Sequence, residues 1–333
     1  MKALVATAAA AVLAVSGCST PVGSSSAQPR ASSTASSVEA PIEGAASATA
    51  SPSASPDALS WRDIPVAPKK ASAFEVILSD EALLVLDADE PYGPYMFAVF
   101  GNQVLLDDPG DNDVLTYTDG HRTGAAAIDS PEHYVEDLLQ HGEELYVLQG
   151  DGDTGTHRTV QVYDRDSSGR KLTPVRILPG ELVAGNAQAS IHFSGPTLVG
   201  EAWGDEPVLL DGPGPLAEPT LDVADKVFTV ELPGSQPLRI HTRYAPDSID
   251  LILLDDDYAY YLAVDFDADS DSGDVGMHVY RVALSATGTD ATYTLADSPS
   301  YEPSRQVQVV GGQVYQLRAT DKAVEVLRLQ PNP

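Results

Sequence analysis

The 333-residue sequence contains a single cysteine and few basic residues. One thiol cannot form a disulfide within the chain, so a disulfide-stabilised scaffold is excluded. The 19 Lys and Arg side chains face 49 Asp and Glu, and the formal net charge is -30. Because affinity for a phosphate backbone comes mainly from clustered basic side chains, we predict no nucleic-acid partner. Aromatic residues make up only 7%, whereas the 26 Gly and 25 Pro indicate a turn-rich chain.

The N-terminus has a short apolar run behind one positive charge. Lys2 precedes the uncharged stretch from Ala3 to Val15. Its roughly 13 residues are too few to span a bilayer, which needs about 20. The stretch fits the apolar core of a secretory signal, and we predict a signal peptide over residues 1–17.

The run ends in Val15-Ser16-Gly17-Cys18, which resembles the lipobox of bacterial lipoproteins. In that family the cysteine is lipidated and becomes the mature N-terminus, although Leu is usual where Val15 stands here. The resemblance implies an acyl anchor on Cys18 that holds the protein to the outer face of the plasma membrane. The alternative is an ordinary cleaved signal, with Cys18 removed or left as a free thiol.

Residues 18–60 are rich in Ser, Ala and Pro and have no aromatic side chain. Such a segment buries too little apolar surface to offset the entropy of ordering it, and we predict a disordered linker. A flexible linker of this length has a root-mean-square span of about 35 Å. An Ala-rich signal, a Ser/Ala/Pro linker and an acidic domain together are similar to lipoproteins of high-GC actinobacteria.

Residues 61–333 form one domain in which a single pattern recurs. An apolar stretch, a tight turn and an alternating strand are followed by a loop and another alternating strand. Turns containing Gly, Asn or Asp lie near residues 101, 142, 195, 256 and 311. This spacing is somewhat longer than the about 40 to 50 residues of a typical propeller blade, and loop insertions account for the difference. The five copies begin at Phe97, Leu138, Ile191, Leu251 and Gln306.

The repeated pattern resembles the blades of NHL, YVTN and related β-propellers. The resemblance implies an all-β fold and a single β-propeller. Residues 213–250 fit the pattern poorly, and with a degenerate copy near Val227 to Tyr244 we favour six blades. Five or seven blades fit the same spacing, and a two-sheet β-sandwich is the competing fold. The last copy ends after Ala323–Leu329, and we expect a strand at Phe74–Leu78 to complete it and close the ring. Residues 130–142 have helical spacing and a helical start, which indicates a helical turn between blades.

One acidic run is a candidate metal site. Alternating carboxylates can converge on Ca²⁺, which takes six to eight oxygen ligands. The EF-hand register fails, however, because Ser272 replaces the required Gly and His278 replaces the bidentate Glu. Calcium is therefore compatible with the pattern, a solvated acidic loop is the alternative, and we expect no other cofactor. The candidate ligands are Asp265, Asp267, Asp269, Asp271 and Asp274.

The sequence has no local signature of catalysis. It contains no GxSxG elbow, Walker loop or HExxH, and its seven histidines lack zinc spacing. We therefore expect a binding or scaffold module of the cell envelope, with an envelope protein or a small ligand as partner. The alternative is a propeller-based hydrolase, lactonase or lyase that uses calcium, and the sequence leaves open whether the protein is an enzyme. A structural surface protein is a third reading.

Overall fold

The computed structural model of the protein describes residues 61–333, except for 87–90, 93, 108–112, 129–132, 152–156, 165–170, 173, 184–188, 203–206, 215–219, 223–224, 232–235, 268–274, 286 and 298–305. Within these residues the regular structure is β-strand, apart from one 3₁₀ turn at Glu81–Leu83. None of the helical structure in this part of the chain is long and apolar enough to cross a membrane. The predicted signal peptide, Cys18 and the linker to residue 60 lie outside the described residues.

Four strands precede the first repeated sheet, and they belong to three different sheets. They are Arg62–Ile64 (β1), Phe74–Asp80 (β2), Val85–Leu86 (β3) and Pro91–Tyr92 (β4). Strands β3 and β4 pair only with each other, whereas β1 and β2 join sheets formed late in the chain.

Six larger sheets follow in chain order and are called blades 1 to 6. Blade 1 contains β5 (Phe97–Phe100), β6 (Gln103–Asp107), β7 (Asp113–Thr118) and β8 (His121–Ile128), with β12 (Lys171–Leu172) parallel to β8. Blade 2 contains β9 (His133–His141), β10 (Glu144–Asp151), β11 (His157–Asp164) and β13 (Arg176–Val183). Blade 3 contains β14 (Ala189–Ser194), β15 (Thr197–Ala202) and β16 (Val208–Asp211).

The last three blades include the two borrowed N-terminal strands. Blade 4 contains β17 (Thr220–Asp222), β18 (Val227–Val230), β19 (Leu238–His241) and β1. Blade 5 contains β20 (Ala245–Leu254), β21 (Tyr258–Phe266), β22 (Val275–Ala283) and β23 (Ala291–Thr294). Blade 6 contains β24 (Val307–Val310), β25 (Gln313–Ala319), β26 (Val324–Leu329) and β2.

The blades pack face to face around a common axis. Along β21, Tyr260 and Leu262 join an apolar core shared with blade 6, while Tyr261 and Ala263 join a core shared with blade 4. Alternate side chains of one strand therefore reach two different neighbours, which a sandwich of two sheets does not require. The first strands β5, β9, β14, β20 and β24 contact one another at the centre. The fold is a six-bladed β-propeller.

The N-terminal strand closes the ring, as predicted. Strand β2 pairs antiparallel with β26, from Phe74 opposite Leu329 to Asp80 opposite Val324. Leu78 is buried in the core between blades 6 and 1, and the Tyr117 hydroxyl of blade 1 donates to Asp80 at 2.7 Å. Residues near the two ends of the domain thus share one sheet, which removes the exposed edge that an open array would leave.

Blade 4 is the degenerate copy. Its inner strand has only three residues, and its outermost strand is β1, which runs parallel to β19 with Arg62 opposite Leu238. The inner strands of blades 3 and 5 contact each other beside it. A borrowed, parallel outer strand is invisible to a search for local hairpins, which explains the poor fit of residues 213–250.

The expected helical turn at residues 130–142 is wrong in its described part. Residues 133–141 form strand β9, which pairs with β10 along its length. A β-bulge shifts the register opposite Leu148 and Gln149 and leaves Glu136 as the extra residue. Val135 and Leu138 therefore face the same apolar core although they are three residues apart. The bulge produced a spacing that resembles a helix.

Candidate functional site

A small cavity lies on the axis, where the inner strands of blades 2, 3, 5 and 6 meet. The volume of this cavity is about 40 Å³. One water needs roughly 10 to 15 Å³ by this measure, so the cavity accommodates a few atoms, whereas pockets for organic ligands reach several hundred Å³. Its walls are Asp137–His141, Ile191–Phe193, Ile252, Leu253 and Val307–Val309.

Gln308 of blade 6 brings an amide into the cavity wall. Its Nε2 donates to the carbonyl oxygen of Phe97 in blade 1 and, at 2.6 Å, to that of Leu138 in blade 2. Both partners are acceptors, which fixes the amide nitrogen toward them and the oxygen away from them. The side chain is 6% exposed, and its buried Oε1 has no hydrogen-bond partner. Gln308 thus joins three inner strands and leaves one acceptor unsatisfied.

His192 of blade 3 lies in the same wall. Its neighbours Ile191 and Phe193 pack toward blade 2, so the alternation of strand β14 turns His192 to the other side. Burial disfavours the imidazolium ion and lowers the pKa of His192 to about 4. The ring is therefore neutral at pH 7 and has one donor and one acceptor nitrogen. Neither nitrogen has a hydrogen-bond partner in the part of the chain that the structure describes.

Asp137 supplies a carboxylate between blades 2 and 3. Its Oδ1 accepts from the amide of Leu138 and its Oδ2 from the amide of Ile191, both at 2.8 Å. The cavity wall thus contains this carboxyl group together with the imidazole of His192 and the amide of Gln308.

An aromatic stack borders the cavity at the end of β9. The rings of His141 and Phe193 stack with centroids 4.0 Å apart, and Tyr146 meets Phe193 edge-on at 5.1 Å. Burial lowers the pKa of His141, while the nearby Glu144 carboxylate opposes the effect. The Tyr146 hydroxyl donates to Glu144, which also accepts from Arg176 at 2.8 Å. These contacts hold His141 over the cavity wall.

The acidic run predicted as a metal site is described at its start only. Asp265 is 1% exposed, and its Oδ2 accepts from the amides of Arg243 and Tyr244 at 2.8 and 3.0 Å. Its Oδ1 lies 3.9 Å from Nε2 of His278. Asp267 is partly buried, and Asp269, Asp271 and Asp274 lie outside the described residues. Among the residues described, no three His, Cys, Asp or Glu side chains converge as metal ligands. Calcium binding stays a prediction.

The axial residues were not singled out as a site from the sequence. Gln308, His192 and Asp137 lie on three different blades and belong to no motif. The available signal was Gln306 and Gln308 alternating with valines in a strand that leads into a Gly-Gly turn. Only the order of the ring places that polar side chain beside the other two.

Comparisons with known proteins give remote likenesses. No protein-family model matches the sequence, and no curated protein matches it. Similar solved structures include an endo-arabinase from Bacteroides thetaiotaomicron VPI-5482, 11% identical with a TM-score of 0.38 over 78% of this chain and 98% of that one. A streptogramin B lyase is 11% identical with a TM-score of 0.34 over 78% and 98%. An inactive virginiamycin B lyase from Staphylococcus aureus with quinupristin is 11% identical with a TM-score of 0.33, over 78% of this chain and 100% of that one. These values assign no activity to this chain.

Protonating His192 is expected to destabilise the fold. The unfolded imidazole gains its proton near pH 6.5, whereas the folded one gains it near pH 4. Between these values the unfolded state binds more protons, so stability falls as the pH is lowered from 6.5 to 4. A difference of this size corresponds to about 2 to 3 kcal/mol. In urea titrations at pH 7 and pH 4, His192→Gln should lose less stability on acidification than the wild type by this amount. The exposed His121→Gln should follow the wild type, and an identical pH dependence for His192→Gln would contradict the assignment.

Proposed function

We propose that the protein is a lipid-anchored β-propeller that acts as a binding module on the outer face of the plasma membrane. The proposed location at the membrane rests on Cys18, which directly follows small residues at the end of the apolar run. The observation that carries the binding role is the position of the N-terminal strand β1. Strand β1 is the outermost strand of blade 4, so the predicted linker joins the domain at its rim at residue 61. This attachment point is not on a face of the described ring.

Binding is favoured over catalysis by the size of the axial cavity. A propeller-based hydrolase, lactonase or lyase needs a pocket that encloses the reacting part of an organic substrate. The neutral imidazole of His192 and the carboxylate of Asp137 are chemically suited to proton transfer, which is the observation in favour of an enzyme. The cavity of about 40 Å³ whose wall includes both residues holds a terminal group but not a lactone ring. We therefore propose that a partner lies on the ring face, with at most its tip on the axis.

The proposed membrane location is tested by removing the cysteine that would be lipidated. Cys18→Ala should release the protein from membranes into the soluble exported fraction, because the acyl chains that supply about 0.8 kcal/mol for each buried CH₂ are absent. Fractionation, together with mass spectrometry of the N-terminal peptide, measures this. Ser24→Ala, in the linker, is the control and should stay with the membrane. An unmodified Cys18 in soluble wild-type protein would overturn the anchor.

The binding role is tested separately by cross-linking on intact cells. Photoreactive residues placed at Glu143 and Asp256, in hairpin turns of blades 2 and 5, should give a saturable adduct with a discrete partner. The same residue at Val76, on the outer strand of blade 6, should not. Equal adducts at all three positions, or none at any, would contradict a partner on the ring face.

A further inference from the structure

Residues 61–73, which we call the strap, run along the rim of the ring from blade 4 across blade 5 to blade 6. The strap begins with β1 in blade 4 and ends where β2 of blade 6 starts at Phe74. Between these strands, the N–H of Ser72 donates to the carbonyl oxygen of Thr294, on the outermost strand β23 of blade 5, at 3.0 Å. The predicted linker therefore joins the domain through a segment that lies on the outer strands of the ring.

The strap has a short paired segment and a small buried surface. Its pairing with β19 covers the three residues of β1. Ile64 and Ala67 are buried in the core between blades 4 and 5, and Arg243 donates to the carbonyl oxygen of Ala67 at 3.1 Å. Pro65 and Pro68 have no backbone N–H to donate. Segments with few buried apolar side chains and few backbone hydrogen bonds open at a lower free energy than the core of a domain.

The ion pairs of β1 reach solvent. Oδ1 of Asp63 lies 3.0 Å from Nε2 of His241, and the two side chains are 57% and 38% exposed. Arg62 lies 3.6 Å from Asp290, and its Nη2 donates to the carbonyl oxygen of Ala283 at 2.8 Å. Because water and salt screen exposed charges, such pairs hold a strand less firmly than buried contacts do.

Asn332, next to the end of the chain, fastens the strap to blade 5. Its Oδ1 accepts from the hydroxyl of Ser72 at 2.9 Å, and its backbone N–H donates to the carbonyl oxygen of Thr292 at 2.8 Å. Its Nδ2 donates to the hydroxyls of Thr292 and Thr294, both at 3.2 Å. The Thr294 hydroxyl in turn donates to the carbonyl oxygen of Pro68 at 2.8 Å. Asn332 thus joins the strap to β23 through polar contacts, which water can replace once the strap leaves.

The contacts that close the ring lie beyond the strap. The pairing of β2 with β26 starts at Phe74 opposite Leu329 and continues to Asp80 opposite Val324. Leu78, in the core between blades 6 and 1, belongs to the same strand β2. Opening of the strap removes the outermost strand of blade 4 and uncovers the edge of β23, but it leaves the seam of the ring in place.

We propose that the strap opens and closes on the rim as one unit while the ring stays closed, that Asn332 holds it shut, and that its opening lengthens the membrane tether. The 13 residues of the strap span at most about 43 to 47 Å when extended. A ring with an open strap reaches a partner farther from the membrane before any blade unfolds. The effect on reach rests on the proposed membrane anchor, whereas the opening itself does not.

Thiol labelling measures the opening in the full-length Cys18→Ala protein, in which an introduced cysteine is the only thiol. Ala67 of the strap and Ala263 of β21 are each 1% exposed in the same apolar core. The Ala67→Cys thiol should react at least about tenfold faster than the Ala263→Cys thiol. Low concentrations of urea should change the rate little at position 67 and raise it steeply at position 263, because opening the strap exposes less surface than unfolding the ring.

Two further variants separate the strap from the ring. Val160→Ala, in the core between blades 2 and 3, should speed the labelling of Ala263→Cys and leave that of Ala67→Cys unchanged. Equal rates at the two thiols, or an equal response of both to Val160→Ala, would show that position 67 is reached only when the ring unfolds and would overturn the proposal.

The role of Asn332 is tested on the same thiol. Asn332→Ala should speed the labelling of Ala67→Cys at least about tenfold, because it removes the side-chain bonds to Ser72, Thr292 and Thr294. Asn102→Ala, which removes a bond to Asp119 in a turn of blade 1, is the control and should leave the rate unchanged. An unchanged rate in Asn332→Ala would contradict its role in holding the strap shut.

Stretching single molecules tests the lengthening. The full-length Cys18→Ala protein is held by its N-terminus and by a thiol introduced with Glu143→Cys, in a turn of blade 2. We expect a first step of at most about 47 Å ahead of the unfolding of the ring. Traces in which the ring unfolds without such a step would remove the lengthening.

The failure of this inference differs from the failure of the proposed function. If Ala67→Cys reacts only when the ring unfolds but Cys18 is lipidated, the strap falls and the anchored binding module stands. If the strap opens but wild-type Cys18 is unmodified in soluble protein, the opening stands and its effect on the membrane tether falls with the anchor.

Discussion

Replacing Leu78 by aspartate is expected to cost about 4 kcal/mol or more, enough to unfold a domain of marginal stability. Leu78 is 1% exposed and lies in the core between blades 6 and 1, which is the seam of the ring. A carboxylate there has no water, and the substitution also removes the apolar contacts of a buried leucine. Urea denaturation measures the loss as a lower midpoint or as the absence of a cooperative transition.

A matched control lies two residues away on the same strand. Val76→Asp adds the same charge to β2, but Val76 is 43% exposed, so the change should cost less than about 1 kcal/mol. A difference between the two variants isolates the buried seam from the extra negative charge. Equal effects would show that blades 6 and 1 do not depend on β2 for their packing.

The closing strand was predictable because two local signals agreed. The last copy of the pattern lacked a fourth strand, and the apolar stretch at Phe74–Leu78 had no hairpin partner of its own. An unpaired sheet edge is costly in solution, so the two deficits were expected to satisfy each other. The pairing of β2 with β26 confirms this expectation.

The outermost strand of blade 4 could not be predicted from local sequence patterns. Its outermost strand comes from residues 62–64, while the strand beside it is Leu238–His241. Parallel pairing between segments so far apart depends on the topology of the whole domain. No turn sequence joins the two strands, so no local signal predicts the pair. The prediction of a helical turn at β9 was wrong for another reason. The extra residue Glu136 changed the alternation of apolar residues into a spacing of three.

The axial site depends on the ring closure rather than on local pattern. Asp137, His192 and Gln308 are polar residues of inner strands, and such residues are common in cores when they are hydrogen-bonded. Their proximity depends on the angular position of blades 2, 3 and 6. No spacing of residues in the sequence predicts the angular position of a blade. The number and order of the hairpins predict it only once the ring is known to close.

The bulge in β9 creates a second buried polar feature with a large expected effect on stability. Arg158 Nε donates to both carboxylate oxygens of Glu136, at 2.8 and 2.7 Å, and the two residues are 2% and 5% exposed. Removing one partner leaves the other charge buried without this counter-charge. The cost of breaking such a pair is about 3 to 5 kcal/mol.

Glu136→Met and Arg158→Met should each destabilise the protein by this amount in urea titrations, and the double variant should recover most of the loss. The recovery is expected because two thioether side chains fill a similar volume without a charge that needs solvation. The adjacent exposed pair of His157 and Glu181, 2.7 Å apart, is the control, and Glu181→Met should cost less than about 1 kcal/mol. If each single substitution at the buried pair cost as little as Glu181→Met, water would reach the bulge, and Glu136 would be a surface residue of the ring rather than a buried partner of Arg158.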